Sequence, residues 1–218
     1  MNVVQDKYER SSKRGSTSAR HQDLHDRLLA IAEAAITKEG LAGLRARALA
    51  EAAGCSVGAI YGVFADLDML VLAVNVRTLD ALDAVMGATG RAGPGAGADG
   101  GPAHHLARLA EAYLDYAAAN RPRWEALFQH RMAEGRPIPP WYAERLAAVF
   151  RHVEAPLSAL QPELPAEACA VLARTVFAAV HGMVGLGLDG KVATMTLTTL
   201  RDQVRTVVGA IASGLRAP

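Results

Sequence analysis

Apolar residues recur along the chain at helical spacing, and no stretch alternates as a strand would. Leu24, Leu28, Ile31, Ala32 and Ala35 predict a first helix over about 23–39, stopped by Gly40. A second helix over about 45–53 buries Leu49, Ala52 and Ala53 and ends at Gly54. Ser56 is placed to cap a third over 57–63, and Asp66 a fourth over 67–86. Further helices are predicted over 103–119, 122–133 opened by Pro122, 140–160 with a bend or break at Pro156, 166–188 and 194–215. The segment 87–102, "GATGRAGPGAGADGGP", is too rich in Gly and Pro to propagate a helix and reads as a flexible loop. Residues 1–22 are polar and basic and read as a flexible arm. The expected fold is all-α.

Composition narrows the function. The chain is 51% hydrophobic but only 5% aromatic, which suits closely packed Ala- and Leu-rich helices better than a sheet. A net charge of +1 gives no global basic field, so any nucleic-acid binding must come from a local patch. Two distant cysteines argue against a disulfide framework and for a reducing compartment. The N-terminus lacks an apolar signal core, and the apolar runs are interrupted by charge or helix breakers. A soluble, cytoplasmic protein with no membrane association is expected.

The stretch "CSVGAIYGVF" holds no charge, two glycines and small apolar residues, directly after "LAEAAG". Two short helices joined by "AAGCS" form a helix-turn-helix. Residues 25–70 resemble the tetracycline-repressor-like (TetR) family of transcriptional regulators. The resemblance is carried by "EG" before the second helix, by "LAEAAG", and by Ser56, Gly58, Ile60, Tyr61 and Phe64. Two departures stand out: Arg45 opens the second helix where Ser or Thr is usual, and Leu67 replaces a customary lysine. The segment "FAAVHGMVGLGLDG" resembles the subgroup with a Trp-His-Gly signature, with Val180 in the tryptophan's place.

The resemblance implies an N-terminal three-helix helix-turn-helix DNA-binding domain (23–66) and a C-terminal helical ligand-binding and dimerisation domain (67–218). It implies a ligand-responsive repressor released from a double-stranded DNA operator by a small-molecule effector. The third helix would enter the major groove, with Gly58 and Ala59 letting the backbone approach. Val57 and Ala59 would meet thymine methyls, and Ser56 and Tyr61 would reach phosphates. Arg45, Arg47 and, from the arm, Arg20 would supply the charge that this helix lacks. The helix over 166–188 is apolar nearly all round and should be buried on several sides, and that over 194–215 carries one long apolar stripe, as a homodimer interface requires, although an intrachain core would use the same pattern. Trp124, Phe128, Trp141 and Phe177 are candidate walls of an apolar pocket, with His181 as the polar group that orients its ligand. No cofactor or metal is expected: there is no Glu-x-x-His pair, nucleophile elbow, phosphate loop or Cys-x-x-Cys. The competing readings are a constitutive DNA-binding regulator without a ligand and an all-α enzyme.

Overall fold

A computed structural model describes the backbone of residues 3–90, 101–190 and 195–216, and side chains from residue 18 to residue 215 among them. The elements are α1 (Val3–Glu39), a 3-10 turn (Gly40–Gly43), α2 (Ala46–Ala52), α3 (Val57–Val63), α4 (Leu67–Gly90), α5 (Gly101–Ala119), α6 (Arg121–Gln129), α7 (Pro140–Leu160), α8 (Ala166–Leu188) and α9 (Leu197–Arg216). Among the described residues every regular element is helical.

α1 begins at Val3, well before the expected start near 23. The segment is rich in Lys, Arg, Glu and Gln, which favour helix, and it contains no proline. α4 continues to Gly90 and α5 starts at Gly101, so the core of the expected 87–102 loop lies outside the described residues. α7 runs through Pro156 without interruption. Pro156 is buried beside Val153 and Leu157, and it falls in the penultimate turn, where few hydrogen bonds remain to be lost. α6 stops at Gln129, earlier than expected.

The chain divides into two compact units: Met1–Asn75 with Glu125–Arg136, and Val76–Trp124 with Pro137–Pro218. The division falls inside α4 rather than ahead of it, and one segment from the second half of the chain joins the first unit. In that unit Leu28, Ala32 and Ile36 form one stripe of α1, buried with Leu49, Ala50, Ala53, Ile60, Phe64, Leu70 and Val74. Ala52, expected in this core, is exposed, because α2 turns Leu49 and Ala53 inward.

In the second unit α5 packs on α7, α8 and α9 and buries residues from Leu106 to Ala117 on several sides. Leu200, Val204, Val208 and Ala212, one stripe of α9, are buried against the chain itself. The apolar face of α9 therefore serves an intrachain core. Gly187 fixes the approach of α8 to α9, since a Cβ there would stand 2.7 Å from the Leu200 methyls. Ion pairs from Arg201 to Asp115 and from Arg205 to Glu111 join α9 to α5 at the surface. Exposed pairs of this kind contribute about 0–1 kcal/mol, so they fix register more than they stabilise. α8 is long and apolar enough to cross a membrane by length and composition, although, as expected from sequence, charge and glycine interrupt it at Glu167, Arg174, Gly182, Gly185 and Gly187. Here it packs along one side on α7 and α9.

Candidate nucleic-acid interface and effector cleft

The helix-turn-helix is built by local hydrogen bonds. Gly54 takes a left-handed φ of 62°, and the Cys55 N–H donates to the Ala50 carbonyl at 2.9 Å. Ser56 is the N-cap of α3, its hydroxyl accepting from the Ala59 N–H at 3.2 Å. Ile60 and Phe64 face the core and anchor the helix, while Val57, Val63 and Cys55 pack partly against it. Val57 thus divides its surface between core and solvent. Ser56, Gly58, Tyr61 and Gly62 form the exposed face, with Ala59 at its edge and Tyr61 48% exposed. A Cβ on Gly58 would meet nothing nearer than the Ser56 hydroxyl at 3.8 Å, and one on Gly62 nothing within 4 Å. Neither glycine is required by the fold. Arg45, Arg47 and Arg20 are all exposed. Arg45 occupies the N-cap of α2 without a side-chain cap bond, as expected of a residue that replaces Ser or Thr there.

Sequence reasoning foresaw the cap of α4 but missed the partner that holds it. Asp66 caps the helix, accepting from the Met69 N–H at 2.9 Å, and pairs with Arg136. The Arg136 guanidinium holds the Asp66 carboxyl below its ordinary range. Asp68 lies 3.8 Å from Arg136 and 3.7 Å from His130. Further along α4, the buried Asn75 amide donates to the Ala126 carbonyl at 3.4 Å. The segment after α6 is therefore fastened to the first half of α4. The paired residues are so far apart in sequence that no local pattern signals them.

The second unit contains a small cleft that opens to solvent, with about 350 Å³ of empty space when the open solvent at its mouth is included. Leu106, Leu109, Val153, Val176 and Val208 line it, with Tyr113 and Phe177 as its aromatic walls. Of the five predicted ligand residues, Phe177 lines the cleft. Trp124 and His181 stand behind Tyr113: the Trp124 Nε1–H donates to the Tyr113 hydroxyl at 2.8 Å, which lies 2.8 Å from His181 Nδ1. Phe128 belongs to the other unit and Trp141 is 42% exposed; neither lines the cleft. Tyr113 was overlooked, although it shares a helical face with Leu106, Leu109 and Ala110. Val180 also lines the cleft.

Burial lowers the proton affinity of His181 below its ordinary value of 6.5. Below that pH the unfolded chain binds a proton that the folded chain refuses, so stability falls as pH drops. His181→Gln is expected to flatten this decline between about pH 7 and pH 5 in urea titrations. An unchanged pH profile would show that His181 titrates normally. Among the described residues no group of three His, Cys, Asp or Glu side chains is placed to hold a metal ion.

A helix-turn-helix followed by an all-helical unit with an apolar cleft defines a DNA-binding transcriptional regulator. Residues 106–210 match the family model described as tetracyclin repressor-like, C-terminal domain. Over this C-terminal stretch the chain is similar to the tetracycline-repressor-like regulators. Solved structures share the fold at low identity. A protein of unknown function from Rhodococcus sp. RHA1 is 24% identical, covering 86% of this chain and 94% of that one at a TM-score of 0.67. A TetR transcriptional regulator from Rhodococcus sp. RHA1 is 18% identical (89% and 97% covered, TM-score 0.57). The regulator FadR from Bacillus subtilis, solved with stearoyl-CoA, is 13% identical (84% and 97% covered, TM-score 0.60). No curated protein matches the chain closely enough to count as a relative.

Proposed function

We propose that this cytoplasmic regulator is a homodimeric repressor that binds a palindromic operator through α3 and is released by a mostly apolar small molecule held in the cleft. The observation that carries the DNA half is the exposed, uncharged face of α3 with two glycines that the fold does not need. Glycine inside a helix costs roughly 1 kcal/mol against alanine. Its retention where space is open fits a surface whose backbone must come close to something else. A major groove about 12 Å wide admits such a helix. Tyr61 has a hydroxyl to give to a phosphate, while Arg20, Arg45 and Arg47 provide the attraction that α3 lacks.

The effector half rests on the apolar lining of the cleft. FadR, with its bound stearoyl-CoA, is a relative in fold that carries an acyl ligand. His181 does not line the cleft, but its hydrogen-bond partner Tyr113 does. The choice between an inducible and a constitutive regulator is made by titrating the operator with and without candidate effectors.

Operator binding is tested first. Counterion release makes affinity fall with salt, at a slope of about −0.9 per phosphate neutralised. Arg47→Ala should reduce that slope by about one unit, and Tyr61→Ala should weaken binding at every salt concentration. Binding independent of salt, or an Arg47→Ala slope equal to the parent's, sinks the assignment of these residues.

A further inference from the structure

With the cleft taken as the effector's site, as proposed above, we propose that Tyr113 selects the effector, admitting an uncharged hydrocarbon group and refusing carboxylates and other groups that can only accept hydrogen bonds.

Hydrogen-bond direction carries this. Indole Nε1–H is a donor only, so the Trp124–Tyr113 bond at 2.8 Å makes the phenol oxygen an acceptor. Among the described residues the one other hydrogen-bond partner the structure gives the phenol is His181 Nδ1, 2.8 Å away, and we place the buried hydroxyl proton on that bond. That arrangement assigns the His181 proton to Nε2 and leaves the ring neutral. Burial, which disfavours the charged imidazole, acts in the same direction. Aromatic packing fixes the geometry. The Tyr113 ring meets Trp124 edge-on at 6.1 Å and Phe177 at 5.4 Å, and only 2% of the residue is exposed.

Tyr113 is the one lining residue that carries a hydroxyl, and that hydroxyl is committed to Trp124 and His181, which do not line the cleft. A ligand carboxylate or carbonyl placed against it finds no donor there. No charged side chain lines the cleft. Arg174 lies 5.0 Å over the Phe150 ring, which meets Phe177 edge-on, but its guanidinium already donates to the Ala170 carbonyl at 2.7 Å and lies 3.9 Å from Glu154. An acceptor entering the cleft would lose its water without replacement, a cost that apolar cavities do not impose on hydrocarbons. Ionising His181 to meet a carboxylate would need a proton on Nδ1, and the Tyr113 proton would lose its acceptor.

The test uses toluene, p-cresol and 4-methylbenzoate, three probes of one frame, with calorimetry on the whole protein and on Tyr113→Ala. The parent should bind toluene at least about tenfold more tightly than 4-methylbenzoate, and no more weakly than p-cresol. In Tyr113→Ala the order should turn. p-Cresol has the shape of the lost side chain, and its hydroxyl can again bridge Trp124 and His181, so it should bind about tenfold better than toluene. Binding of 4-methylbenzoate to the parent as tightly as toluene would overturn the proposal while leaving the cleft an effector site. So would equal binding of toluene and p-cresol to Tyr113→Ala. If none of the three probes binds the parent, the effector site itself is lost and the proposal goes with it. Should Tyr113→Ala fail to fold, the ratio of toluene to 4-methylbenzoate in the parent decides alone.

Discussion

Ala178→Glu is expected to turn the protein into folded monomers, whereas Val208→Glu should prevent it from folding. The two sites differ in what covers them. Val208 is 1% exposed and lies in the cleft wall, inside the chain's own core. A lone carboxylate there has no partner. Leaving a buried charge unpaired costs about 3–5 kcal/mol, a large share of the 5–15 kcal/mol that holds a typical domain together. Ala178 sits on the other face of α8, which carries Val171 (64% exposed), Ala179, Gly182 and Leu186 (48% exposed). These positions recur at helical spacing and form an apolar stripe left largely uncovered by the described residues. Thr175, within the stripe, returns its hydroxyl to the Val171 carbonyl at 3.1 Å and so hides its polar atom. A Cβ on Gly182 would meet nothing within 4 Å, leaving room for a second helix to approach.

In a monomer a glutamate at 178 is solvated, and surface changes of this kind usually stay within about 0.5 kcal/mol. In a symmetric dimer the same face meets itself, and two carboxylates are buried together. A weakening of dimerisation by a hundredfold or more follows from the same cost of about 3–5 kcal/mol. Operator affinity should fall with it, because each monomer then holds one half-site alone, without the partner about 34–36 Å along the duplex. Sedimentation velocity at low micromolar concentration, with a thermal melt to confirm folding, reads both outcomes. A dimeric Ala178→Glu would place the interface elsewhere, and a folded Val208→Glu would contradict the burial of α9.

The pair also marks a limit of what was legible in the sequence. Periodicity shows which face of α9 is apolar but not whose surface will cover it. Leu200, Val204 and Val208 look the same in either case, and only α5 lying against them decides. Signals that act within a few residues were readable: Gly40 and Gly54 with positive φ, Ser56 and Asp66 as caps, and Ile60 and Phe64 turned inward on α3. Aromatic identity alone did not separate Phe177, which lines the cleft, from Phe128 and Trp141, which do not. The Asp66–Arg136 pair escaped notice for a related reason. Its energy is local in space, but its partners are 70 residues apart in sequence. Val57 was read as facing outward, yet it packs partly on the core, because the first turn of a seven-residue helix cannot turn every side chain to solvent.

Gly58→Ala should make the protein more stable and its operator binding weaker. Most substitutions that harm function harm folding as well, so opposite signs at one residue are diagnostic. The stability side follows from backbone entropy. Gly58 lies inside α3 without a positive φ, and an added Cβ would touch only the Ser56 hydroxyl at an ordinary 3.8 Å. Alanine restricts the unfolded chain and strains nothing in the folded one, which is worth about 0.4–1 kcal/mol. The binding side follows from the groove. If the α3 backbone lies against base edges, a methyl group at 58 holds the helix off and lengthens contacts across the exposed face, including those of Ser56 and Tyr61. Two or more weakened contacts at about 1 kcal/mol each give a loss of tenfold or more. Gly62 is the control on the same helix: it is equally open, but it lies one turn further on, toward the C-terminal end of α3. Gly62→Ala should gain similar stability with a smaller loss of affinity, since the N-terminal residues of a recognition helix reach deepest toward the bases. Urea denaturation and operator titration at one fixed salt concentration measure both quantities on the same samples. A Gly58→Ala protein that is more stable and binds its operator undiminished would mean that α3 does not approach DNA by this face.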